Sequence, residues 1–157
     1  MNLHIVPFEP GLRSHFGRFN REWLERYFVV EPIDAEVLDH PERRILEGGG
    51  RILFARIDDE VVGTCALLQA SPGVYELTKM AVTATRQGGG IGRRLLDAAI
   101  AEFRRIGGRT LFLETHSSLK AAISLYERAG FGHRGRKPDS HYQRSDTYMV
   151  WRDPDGA

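Results

Sequence analysis

Apolar positions along the chain change their spacing several times, and each change marks an element. Within residues 11–28, Leu12, Phe16, Phe19, Trp23, Leu24 and Tyr27 recur every three or four positions, which gathers them on one face of a helix. Residues 3–8 alternate ahead of it as a first strand. Pro32 interrupts the helical pattern, Asp34 is placed to cap a short turn, and a second helical piece falls around residues 41–46 with Pro41 early in it. From Arg51 the period drops to two. Residues 52–57 and 61–68 read as a hairpin about Asp58, Asp59 and Glu60, and Ser71, Pro72 and Gly73 turn into a third strand at 74–82, so this part is an antiparallel meander. Helical spacing returns with Ile91, Leu95, Leu96, Ala99, Ile100 and Phe103, with Arg93, Arg94, Asp97, Glu102 and Arg104 facing outward. A strand at 110–115, a helix at 119–129 and strands at 131–135 and 146–151 complete the order βααβββαβαββ, an α+β (mixed α/β) pattern without repeats or linkers.

Composition narrows the class. With 157 residues, 41% hydrophobic and 27% charged, the chain suits one globular domain spanning 1–157. A formal net charge of +1 and the lack of a lysine–arginine run argue against a nucleic-acid partner. No apolar stretch reaches the roughly twenty residues that cross a bilayer, so no membrane partner is expected. The first residues lack a signal-peptide pattern and Cys65 has no second cysteine, which makes the cytoplasm the expected compartment. The six histidines show no metal-ligand spacing, so no metal is expected.

Between the strand at 74–82 and the most amphipathic helix lies Arg86-Gln87-Gly88-Gly89-Gly90-Ile91-Gly92. Glycine there lets backbone amides point inward and lets a ligand approach without a Cβ in its way. The first amides of the next helix lack partners and its dipole adds positive potential, so phosphate suits this corner; the plain alternative is a flexible loop. Two phosphate motifs fail. A P-loop needs Lys and then Ser or Thr after its last glycine, whereas Gly92 is followed by Arg93 and Arg94. A dinucleotide fingerprint meets Arg93 or Leu95 where a helix-packing Gly or Ala belongs, although Glu114 stands near the place of a ribose-binding acid. What remains is Q-x-x-G-x-G, met by Gln87, Gly90 and Gly92.

That pattern follows the strand at 75–82 and precedes Leu125-Tyr126-Glu127-Arg128-Ala129-Gly130-Phe131, which has the form LYxxxGF. Together these segments resemble the GNAT superfamily of acyl-CoA-dependent N-acyltransferases, best over residues 51–133. The resemblance implies a central, mostly antiparallel twisted sheet flanked by helices. It also implies acetyl-CoA as acyl donor and a primary amine of a small molecule, amino acid, peptide or protein as acceptor. Donor contacts would come from Met80, Ala81 and Val82, from the cradle of Gln87, Gly88, Gly89, Gly90, Ile91, Gly92 and Arg93, and from Tyr126 near the sulfur. Many members carry Asn seven residues before that tyrosine; this chain has Leu119, so any contact of that Asn is replaced or absent. Members are often dimers, which leaves a homodimer open. Competing readings are an acyl-CoA-binding regulatory module without turnover and a nucleotide-binding oxidoreductase, the latter opposed by the antiparallel meander.

An alkyl ammonium is only about one part in a thousand deprotonated near neutral pH, a deficit of roughly 4 kcal/mol, so a base is useful. In a regular strand Glu76 shares a face with Thr78, Met80 and Val82, whose mostly apolar company raises a carboxyl pKa. The resemblance places Glu76 at the general-base position of GNAT lysine acetyltransferases; the alternative is a strand glutamate satisfied by Lys79 or an arginine. Tyr126 is either a proton donor to the departing thiolate or a core tyrosine beside Ala122 and Ile123. Asn20, Trp23, Tyr27, His116 and Tyr142, with Ser140 and Arg144 nearby, are the candidate acceptor contacts alongside Glu76. Trp23 and Tyr27 equally suit helix packing, and His116 a solvent-exposed loop. Cys65 lies within an apolar strand and reads as packing, so direct transfer in a ternary complex is expected, without an acyl-enzyme.

Overall fold

The computed structural model describes residues 2–153. Its order is β1 (Leu3–Pro7), α1 (Arg13–Tyr27), α2 (Pro32–Asp39), β2 (Arg51–Ile57), β3 (Glu60–Ser71), β4 (Val74–Val82), α3 (Ile91–Arg105), β5 (Thr110–Thr115), α4 (Lys120–Ala129), β6 (Phe131–His133) and β7 (Thr147–Trp151). The predicted order holds. The second helix, however, begins earlier than its pattern suggested. Pro32 does not stop a helix; it opens one, in the first turn, where a missing N–H leaves nothing unpaired. Asp34 then takes the third position of that helix and accepts the Glu31 backbone N–H at 2.9 Å, while residues Glu42–Leu46 form only a short π-helical turn.

The strands make one seven-stranded sheet in the order β1-β2-β3-β4-β5-β7-β6, antiparallel except between β4 and β5. One face packs on α3 and α4 through Cys65, Leu67, Tyr75, Leu77, Leu95, Leu96, Ala99 and Phe103; the other packs on α1 and α2 through Phe16, Phe19, Leu24, Val37, Phe54 and Ala66. Alternation along β3 sends Cys65 to the first cluster and Ala66 to the second, as the two-residue period dictates. Among the described residues no helix is long and apolar enough to cross a membrane, and no group of His, Cys, Asp and Glu has the makings of a metal site.

Two irregularities shape the middle of the sheet. The parallel pairing of β4 with β5 covers only Val74↔Thr110, Tyr75↔Leu111 and Glu76↔Phe112, after which the strands part. In addition, β4 carries a bulge: Thr64 pairs with Ala81 and Ala66 with Thr78, so Lys79 and Met80 together oppose Cys65, with Lys79 at φ 55°.

Candidate functional site

The bulge decides which way β4 side chains point. Before it, Tyr75 and Leu77 join the α3 cluster, which leaves Glu76 and Thr78 on the α1 face. After it, Met80 and Val82 pack on the α3 cluster and Ala81 on the α1 cluster. Glu76 therefore does not share a face with Met80 and Val82, as an unbroken strand would require; one extra residue reverses the alternation between them.

Beyond Glu76 the parted strands open a cleft of about 290 Å³, lined by Leu77 to Val82 of β4, by Leu113 to His116 at the end of β5, and by residues of α1, α4 and the loop before β7. A crevice beyond the carboxyl ends of parallel strands is where α/β sheets offer a ligand free backbone groups. Because the sheet is open here, side chains from both faces meet. Glu76 enters from the α1 side, and Tyr126 of α4, which packs on the α3 cluster, enters from the other.

Glu76 is 7% exposed, and its carboxyl is pushed up to about 7. Burial is the main cause; Lys79 opposes it, the Glu114 charge reinforces it, and a hydrogen bond from Tyr142 and the charge of Lys137 oppose it. Tyr142 bonds Thr78 as well, and its phenol is raised by burial and then by Glu76. The half-buried Tyr126 is pushed up to about 12 by burial and the adjacent Cys65, so it holds its proton at neutral pH. Burial also lifts Cys65 to about 12, which leaves its thiol un-ionised and unfit as a nucleophile.

Beneath Tyr142 lies a buried ion cluster. Asp34, with 0% exposure, meets Lys79 Nζ at 2.7 Å and Arg144 at 2.7 and 2.9 Å; Glu31 meets Arg144 at 3.1 Å and accepts the Gln143 backbone N–H at 2.9 Å. Burial opposes the Asp34 charge, but Arg144 and Lys79 outweigh it and hold its carboxyl at about 2. Lys79 and Arg144 lie 4.9 and 5.0 Å from the Tyr142 ring, so the cluster fixes the side chain that bonds Glu76. The left-handed residue of the bulge is Lys79 itself, and the bulge is what aims it at α2.

At the far end of the cleft, Gly88 and Gly90 adopt φ of 85° and 83°, and a Cβ at either would meet no atom within 4 Å. Gly90 is the N-cap of α3, and no hydrogen bond among the described residues employs the amides of Gly88, Gly89 or Gly90. This open, amide-lined turn at a helix N-terminus fits a diphosphate. Gly90→Glu is expected to weaken acetyl-CoA binding about tenfold or more, by forcing a Cβ into a left-handed residue and adding negative charge to a positive corner. Calorimetry against Gly90→Ala separates the two effects, and equal affinity in all three proteins rules out the cradle.

Of the residues singled out from sequence, Asn20, Trp23, Glu76, Met80, Ala81, Val82, Gln87, Gly88, Ile91, Gly92, His116, Tyr126 and Tyr142 line the cleft. Gly89 and Gly90 complete the turn between lining residues. Arg93 pairs with Asp97 instead, and Tyr27, 43% exposed, packs at a tilt against Trp23 and is not part of the lining. His116 Nδ1 accepts the Ser118 backbone N–H at 3.1 Å and meets the Ser118 hydroxyl at 2.7 Å, while Nε2 lies 3.7 Å from Asp146. The ring also stands edge-on to Phe28, with the centroids 5.7 Å apart. Sequence reasoning missed Asp34 and Glu114 as parts of this site, and offered Lys79 only as an alternative partner of Glu76. The available signal was a lysine set inside an apolar strand, which needs a bulge or a buried partner.

The sequence model described as the acetyltransferase (GNAT) family matches residues 17–131. The chain belongs to the GNAT family. The chain is 29% identical over 131 residues to the uncharacterized N-acetyltransferase YvbK of Bacillus subtilis, across 83% of this chain and 77% of that one. It is 42% identical over 86 residues to an IAA acetyltransferase of Azospirillum brasilense, covering 54% of this chain and 56% of that relative, little more than half its length. A GNAT acetyltransferase structure from Staphylococcus aureus Mu50 superposes with a TM-score of 0.84 at 20% identity, over 95% of this chain and 98% of that one. Salmonella typhimurium yncA, solved with its cofactor acetyl-CoA, superposes at 0.79 and 20% identity over 100% and 98%. The seven-stranded sheet and its helices are thus the GNAT fold, the domain is an acetyltransferase, and the acyl donor of its family is acetyl-CoA.

Proposed function

We propose that this GNAT domain moves an acetyl group from acetyl-CoA directly onto a primary amine of a small molecule, amino acid, peptide or protein, within a ternary complex. The observation that carries the reading is a buried carboxyl poised near neutrality in a cleft that ends in an amide-lined glycine turn. The turn from Gln87 to Gly92 holds the diphosphate, and the β4 backbone from Met80 to Val82 borders the arm of the donor. When bound, acetyl-CoA supplies the thioester carbonyl that the amine attacks. Glu76 Oε takes the proton the amine must shed, with Tyr142 steadying the carboxylate. The Tyr126 hydroxyl, still protonated, gives its proton to the departing thiolate. The inert Cys65 agrees with transfer in one step and no covalent enzyme intermediate.

The test is thiol release from acetyl-CoA across a panel of primary amines, with acetylated product identified by mass. Amine-dependent release is expected; donor binding without release for any amine overturns the proposal. Tyr126→Phe is expected to slow turnover on the order of 10²-fold with donor affinity unchanged. A variant that loses only thermal stability assigns Tyr126 to packing.

A further inference from the structure

Glu114 sits on β5 two residues beyond Phe112, the partner of Glu76, so both carboxylates project from neighbouring strands into the same cleft. Its Oε1 is buried and meets no hydrogen-bond donor among the described residues. A buried carboxylate oxygen without a partner is unfavourable, and a strand residue lining a cleft can gain one from what enters the cleft. The cations nearby are paired with other carboxylates: Lys79 and Arg144 with Asp34 and Glu31, and Lys137 with Asp139, so that Lys137 acts on Glu114 only at longer range. The charge left for a ligand to answer is therefore negative.

We propose that Glu114 recognises the acceptor as a cation: its Oε1 receives an N–H of the incoming alkylammonium, which selects amines charged near neutral pH over those that are not. The inference rests on the amine acetyltransferase reading and names its substrate class. The ammonium then bridges two carboxylates, with one N–H held by Glu114 and another proton passing from nitrogen to Glu76 Oε. Nitrogen keeps the electron pair it needs for attack on the acyl carbon; its second proton, shed after attack, passes to Glu114 and on to solvent, while the departing thiolate takes the Tyr126 proton, which solvent replaces.

The experiment compares wild type and Glu114→Gln in thiol release, using propylamine as the charged acceptor and hydroxylamine as a primary amine uncharged near neutral pH. Glu114→Gln is expected to raise the KM for propylamine about tenfold or more while leaving that for hydroxylamine and the affinity for acetyl-CoA unchanged. It should also move the acid limb of kcat/KM to lower pH, because removing a neighbouring negative charge weakens the hold of Glu76 on its proton. The other groups facing Glu76 stay in place: Lys79 on its own strand, and Tyr142 and Lys137 in the loop before β7. Should the glutamine variant fold poorly, Glu114→Asp keeps the charge and shortens the reach, so its KM for propylamine rises with little movement of the limb. An unchanged KM for propylamine, or an equal rise for both acceptors, overturns the inference. Wild type that binds acetyl-CoA yet turns over neither amine brings down the parent reading, and this inference with it.

Discussion

Glu76→Gln is expected to lower kcat/KM by roughly 10²- to 10⁴-fold and to flatten its dependence on pH around neutrality. Glutamine matches glutamate in shape and still offers an oxygen to Tyr142, so cleft and donor affinity persist while the proton acceptor is lost. The sign of the pH effect comes from the raised carboxyl. Its basic form fills only as pH climbs through about 7, so the wild-type rate rises across that interval and levels above it. The measurement is the kcat/KM profile from mildly acid to mildly alkaline pH for both proteins. A glutamine variant with the wild-type limb removes Glu76 from proton transfer.

Asp34→Ala should destabilise the fold by about 3–5 kcal/mol, because it strands Lys79 and Arg144 beside each other without their shared counter-charge. Urea unfolding with an unchanged slope isolates the effect. The wild-type contribution has a defined acid window. The Asp34 carboxyl is depressed from 3.8 to about 2, so its stabilisation is complete above the higher value and disappears as pH falls through the lower. Exchanging Asp34, Lys79 and Arg144 together for apolar residues of similar volume should recover most of the loss, since the pairing offsets a large desolvation cost. Activity should remain low in that triple variant, because Tyr142 has lost the charges that seat its ring. A single Asp34→Ala protein as stable as wild type excludes the cluster from holding the fold.

What could be read from the residues, and what could not, divides along physical lines. The elements were legible wherever one period governs a long segment: Ile91, Leu95, Leu96, Ala99 and Phe103 are all buried on α3, and the two-residue alternation of β3 sorts its side chains as expected. The glycine turn was legible because left-handed backbone has its own residue preference. The β4 bulge was not, since nothing in Thr78-Lys79-Met80 states that two residues will oppose one; the mismatch belongs to the pairing with β3. The start of α2 was misread because Pro32 can end one helix or begin the next, and the deciding partner, Glu31, is an uncommon N-cap. Asp34 was read only as a cap, because its ionic partners lie 45 and 110 residues away in sequence. Tyr27 illustrates the opposite error: spaced four from Trp23, it satisfied the helical pattern, yet α1 turns it outward.

Glu31 ties the segment before the last strand to the N-terminal helices, through two backbone amides and a guanidinium. On the proposed reading of the cleft, acceptor preference in such a domain is a two-piece property. A chimera that imports α1 and α2 from a relative without the matching stretch ahead of β7 inherits a lock lacking its bolt, and only transplants that carry both pieces together keep the seat intact.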